Sequence, residues 1–127
     1  MKYLPSLLIL FSFCFSSGLS AQSEVVGDWK TMVPDGSKEG AMIPLHVTIK
    51  ADNIYWLDFG GDGAVEITGK YETSDGQIHI QDVEGSECTG KGVYVFEVND
   101  EGMTMTRVSD ECEGRGGPEG KMSFSRR

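Results

Sequence analysis

From Ile43 to Lys50 the chain places an apolar side chain at every odd position and Pro44, His46, Thr48 and Lys50 at the even ones. A period of two is what a strand with one buried face demands, because successive side chains leave a strand on opposite sides; a helix would need a period of 3.6. The same alternation returns in residues 65–71, 77–81, 92–98, 103–108 and 121–127. With residues 25–32 and 53–59 it predicts eight short strands, and no segment after residue 21 carries a helical stripe. Eight strands at roughly 8–12-residue spacing define an all-β chain, either a sandwich or a small barrel.

The connections choose between the two. Ala51-Asp52, residues 74–76 and residues 99–102 are tight, while 33–42, 60–63, 84–91 and 109–120 are longer or glycine-rich, and the two kinds alternate along the chain. In an up-and-down meander alternate connections fall at opposite ends. The pattern therefore predicts an eight-stranded antiparallel up-and-down barrel, one end closed by tight turns and the other an open rim. Cys88 and Cys112 both fall in loose connections, hence at the same end.

Residues 1–21 carry Lys2, then the apolar run Leu7-Leu8-Ile9-Leu10-Phe11, then the small residues Ser16-Ser17-Gly18 and Ser20-Ala21. Basic, apolar, small is the order of a secretory signal peptide. Export to a periplasm or the extracellular space is expected, with cleavage near Ala21 and residues 22–127 as the mature domain. Phe13 stands before Cys14 where a lipid-anchor signal needs a small residue, so no lipidation is expected. Without the first 21 residues, 106 remain, with all 20 Asp/Glu and 10 of the Lys/Arg, a net charge of −10. Nucleic acids and anionic membranes are polyanions, so this charge argues against both as partners. No apolar run of about 18 residues remains to form a transmembrane segment. Two cysteines in an oxidising compartment are expected to pair as a Cys88–Cys112 disulfide. The lesser reading, free thiols or half a metal site, has neither a CxxC nor a nearby histidine in sequence to support it.

Turn positions predict registers. Pairing Glu72 with Gln77 sets Tyr71 opposite Ile78, both facing in. Pairing Val98 with Met103 sets Phe96 opposite Met105 and Tyr94 opposite Arg107. In residues 53–59, Ile54 and Trp56 share one face and Tyr55, Leu57 and Phe59 the other, and alternation leaves open which of the two is buried.

The chain resembles the lipocalin-like members of the calycin superfamily. Gly27-Asp28-Trp29 matches the family's G-x-W at the start of the first strand, and Arg126, on the face of Met122 and Phe124, matches an arginine near the end of the last. It is also similar to small secreted bacterial lipocalin-like domains through Gly69-Lys70-Tyr71, Cys88, Gly92-Val93-Tyr94 and Asp110-Glu111-Cys112-Glu113-Gly114-Arg115. The resemblance implies a barrel closed at its narrow end by Arg126 packed on Trp29, and a role in carrying a small molecule.

Residues with chemical potential are few. His46 and His79 sit at outward phases of strands that are not neighbours, and there is no nucleophile elbow and no phosphate loop. The expectation is a protein that is not an enzyme and uses no cofactor and no metal. Asp58, Asp62 and Glu66 resemble a calcium loop only loosely; the EF-hand spacing is absent and a solvated turn is the preferred reading. Arg107 is the informative residue, since an inward arginine is costly without a counter-charge. One reading has it hold a ligand's carboxylate while Tyr94, Phe96 and Met105 contact the apolar body. The preferred one pairs it with Asp110, Glu111, Asp82 or Asp58. An eight-stranded barrel is wide enough either to fill with side chains or to hold one small ligand. The expected function is therefore binding of an apolar or amphipathic small molecule, or of a carboxylate, in the open end. The alternative is a protein–protein interaction or inhibitor module acting through the rim loops over a filled interior. A metal-dependent surface protein is a weak third.

Overall fold

The structure, a computed structural model, describes residues 22–127; the signal-peptide assignment of residues 1–21 lies outside the described residues. Strands form where the alternation places them, with their ends moved by a few residues: β1 (Gly27–Pro34), β2 (Met42–Ile49), β3 (Ile54–Phe59), β4 (Ile67–Ser74), β5 (Gln77–Glu84), β6 (Lys91–Asn99), β7 (Gly102–Asp110) and β8 (Lys121–Arg126). They pair antiparallel in chain order, and β8 returns to β1 to close the barrel. Closure pairs the two edges that an open sheet of these strands would leave exposed. No helix among the described residues is long and apolar enough to cross a membrane.

The tight turns gather at one end, where Trp29 and Arg126 face each other across β1 and β8. Trp29 is fully buried, the Arg126 guanidinium carbon lies 4.1 Å from its ring centroid, and the indole Nε1 donates to the Val25 carbonyl at 2.8 Å. Residues 22–25, expected in part to begin the first strand, instead form a helical turn. It caps this end: Val25 is fully buried and Gln22 Nε2 donates to the Ala51 carbonyl at 2.8 Å.

β3 turns its odd face inward. Pairing of Val47 with Leu57 and Ile49 with Tyr55 sets inner side chains against inner ones, leaving Trp56 37% exposed outside under the Lys50 ammonium, 4.2 Å from its ring. The inward ring of Tyr55 has room because Gly69, facing it across β4, lacks a Cβ that would strike it.

One expected register is wrong by two residues. Ser74, not Glu72, pairs with Gln77, so Tyr71 faces Ile80 and Ile78 faces Thr73. Asp75 and Gly76 both take positive φ, 53° and 74°, the conformation of a two-residue hairpin turn whose twist matches its strands. An even shift preserves side-chain parity, so Tyr71 and Ile78 are still buried. The Val98–Met103, Phe96–Met105 and Tyr94–Arg107 pairs form as expected.

Bulges appear in two ladders, between Thr68/Gly69 and between Val93/Tyr94. In the second, Tyr94 pairs with Arg107 but Val93 pairs with Ser109, so Val108 is the extra residue. This reverses the parity of the rest of β7 and turns Asp110 inward.

Candidate functional site

The loose connections surround the other end, which opens into a cavity of about 740 Å³. Leu45, Val47, Ile49, Leu57, Phe59, Ile78 and Ile80 form much of its wall, with Met105, Met122 and Phe124 opposite. Met32 and Met42 stand at the mouth, each more than half exposed. Residues 114–118 of the β7–β8 connection also line the cavity and lie over part of the rim.

That connection is held in place from several sides. The Cys88–Cys112 disulfide ties it to the β5–β6 connection. Arg107 Nη2 donates to the Arg115 and Gly117 carbonyls at 2.5 and 2.7 Å, and the Arg107 amide donates to the Gly120 carbonyl at 2.7 Å. Gly116 packs where a Cβ would meet the Tyr94 ring and hydroxyl.

Under this cover sits a polar network. Arg115 donates Nε and Nη2 to Asp110 at 2.8 and 2.7 Å and Nη2 to the Gly90 carbonyl at 2.9 Å. Its Nη1 lies 3.6 Å from Asp82 Oδ2, an ion pair, yet makes no hydrogen bond. Tyr55 donates its hydroxyl to Asp82 and Tyr94 donates to Asp110. Burial, reinforced by the bond to Asp82, raises the pKa of Tyr55 far above that of a free phenol. Burial and the bond to Asp110 raise that of Tyr94, so both hydroxyls stay protonated. Burial opposes charge on Asp110, but the Arg115 bonds, the Tyr94 hydroxyl and the Cys112 amide together hold its pKa below the usual carboxylate value. The same pairing with Asp110 overcomes desolvation at Arg115 and raises its pKa.

Of the residues expected to contact a ligand, Met105 is on the cavity wall. Tyr94 is fully buried and Phe96 nearly so, and neither they nor Arg107 line the cavity. The expectation that Arg107 pairs with an acid is not met. Its Nη2 goes to backbone carbonyls, and Asp82 and Asp110 pair with Arg115 instead. Asp58 does not face inward; it lies on the outer face of β3 and accepts the Gly63 amide in its own loop. Arg115 is the residue that sequence reasoning missed. Its signal was the run Asp110 to Arg115, where a lone cation follows three acids and a cysteine. A glycine-rich loop gives no alternation from which to infer where that cation points.

These features define a closed antiparallel up-and-down β-barrel with a disulfide-pinned loop over an apolar interior. No family model, curated protein or solved structure matches the chain.

Proposed function

We propose that the protein is a lipocalin-like binding protein that takes one small, largely apolar, uncharged molecule into the open end of the barrel. The observation that carries this reading is the 740 Å³ cavity with apolar walls, within the range of about 300–1,000 Å³ usual for small-molecule sites. The polar end favours a neutral head group. Arg115 is already paired with both Asp82 and Asp110 and both tyrosines are protonated, so a carboxylate reaching this polar end would enter as an unpaired charge. Arg115, the cationic member of this network that lines the cavity, suits a hydroxyl, ketone or amide oxygen. The head-group site thus moves from Arg107, where the sequence placed it, to Arg115. A protein-interaction module over a filled interior loses support from the same volume.

Binding of an environment-sensitive apolar dye tests the reading. Dye fluorescence should saturate at one equivalent, and a long-chain alcohol should displace it at concentrations at least about tenfold below those of the fatty acid of equal length, a difference of ~1.4 kcal/mol. Leu57→Trp, which fills the cavity from its wall, should abolish dye binding with the β-sheet circular dichroism unchanged. Undiminished binding by a folded Leu57→Trp variant would place the dye outside the barrel and end the proposal.

A further inference from the structure

We propose that the β3–β4 connection is a calcium site, with Asp58, Asp62 and Glu66 as its carboxylate ligands. Along an extended chain, at about 3.3 Å per residue, Asp58 and Glu66 would stand roughly 26 Å apart. The reversal between β3 and β4 brings one carboxylate oxygen from each of the three residues within 4.8 Å of the others. The spacing in sequence does not match an EF-hand, which is why the sequence alone favours a solvated turn.

Clustered acids on an acidic protein need no ligand. Asp58 sets this cluster apart. It is only 8% exposed, although it projects from the outer face of the barrel. Its Oδ2 accepts the Gly63 amide at 2.8 Å, while Oδ1 is buried without a hydrogen-bond partner and the carboxylate meets the side chain of Asp62. Two carboxylates in contact, one with an orphaned buried oxygen, require a positive partner. Among the described residues the ion pairs use Asp28, Asp52, Asp82 and Asp110, and none reaches Asp58, Asp62 or Glu66; the basic group beside the cluster is His46, which pairs with Asp58 across β2 and β3.

Donor chemistry selects the cation. The nearest imidazole, His46, lies against Gly61, and its Nδ1 is 2.9 Å from Arg127 Nη1. That nitrogen is thus taken by Arg127, and the three clustered ligand atoms are carboxylate oxygens. The site is therefore all oxygen, which suits calcium or magnesium rather than zinc. Calcium–oxygen distances of about 2.3–2.6 Å put opposed ligands ~5 Å apart, the scale of this cluster; magnesium, at about 2.0–2.1 Å, needs it to contract. The site also touches the cavity mouth. Glu66 Oε2 accepts the amide of Phe59 at 2.8 Å, and the Phe59 side chain lines the cavity. The cation would fix one side of the rim, and the inference stands whether or not the cavity holds a ligand.

Isothermal titration of the purified protein with calcium chloride is the test. One equivalent should bind with a dissociation constant of about 0.1–1 mM, the range of extracellular calcium modules, and magnesium at least tenfold more weakly. Asp62→Asn and Glu66→Gln change exposed residues, so they should keep the fold by circular dichroism while each weakens calcium at least tenfold. Terbium provides a second readout: its luminescence should be sensitised by Trp56, two residues from Asp58 on the same face, and should fall in Trp56→Phe. Absence of saturable calcium binding up to about 10 mM, well above that range, would overturn the proposal. So would calcium binding that Asp62→Asn and Glu66→Gln leave unchanged.

Discussion

Arg115→Met removes the one cation paired with two buried acids. Asp110 and Asp82 have side chains 1% and 7% exposed, and the Arg115 side chain is 16% exposed, so this is an interior ion triad rather than a surface pair. Removing one partner of such a group costs about 3–5 kcal/mol because the remaining charges are stranded. The low end applies, since Tyr94 and the Cys112 amide still serve Asp110 and Tyr55 still serves Asp82. For a domain of this size a loss of ~3 kcal/mol lowers the melting temperature on the order of 15 °C. The pH dependence is diagnostic. In the native protein the folded pKa of Asp110 lies below its ordinary value. Its contribution is therefore complete above that ordinary value and fades as pH falls through the lower, folded one. Without Arg115 the folded pKa rises, so the penalty should be full at neutral pH and shrink on acidification as Asp110 is protonated. Denaturant unfolding of both proteins from pH 7 to pH 3 measures this. A neutral-pH loss below about 1 kcal/mol, or one that does not change with pH, would refute the ion-triad account. Arg107→Met is the control: it releases two carbonyls and strands no acid, so it should cost roughly 1–3 kcal/mol, with little change between pH 7 and pH 4.

Trp29→Ala should cost about 3–5 kcal/mol, as truncation of a fully buried aromatic does, and Arg126→Ala on the order of 0.5–2 kcal/mol through the lost cation–π contact. Urea unfolding of both checks the closed-end assignment, and a Trp29→Ala loss under ~1 kcal/mol would contradict it. The Cys88–Cys112 bridge spans 24 residues, so reduction or Cys88→Ser plus Cys112→Ser should lower stability by about 3–4 kcal/mol in the chain-entropy model. Because the bridge also pins the loop that lines the cavity, the double variant should bind the apolar dye more weakly even where it remains folded. Equal stability with and without reductant would show that the bridge adds nothing.

Local pattern determined much of this protein. Alternation fixed where the strands lie and, at most of them, which residues face in, because parity survives errors of two residues; the Tyr71 hairpin shows this, its register shifted by two and its buried face unchanged. The strict alternation of tight and loose connections determined the up-and-down barrel, and with it the end at which Cys88 and Cys112 meet. The packing of Arg126 on Trp29 was expected from the resemblance carried by the early G-x-W and the late arginine, and the two side chains do meet.

Tertiary structure decided the rest. Which face of β3 is buried depended on pairing with β2, since both faces are apolar. The Val108 bulge turned Asp110 inward, and an alternation argument that assumes unbroken parity misses that. Arg115, Asp62 and Glu66 lie in glycine-rich loops, where the direction of a side chain follows from backbone turns with positive φ and not from any period. Whether the interior is full or hollow is a sum over eight strands at once. Pattern decides what faces inward, because a strand's two sides are a local property; the space left between those side chains exists only once the barrel has closed.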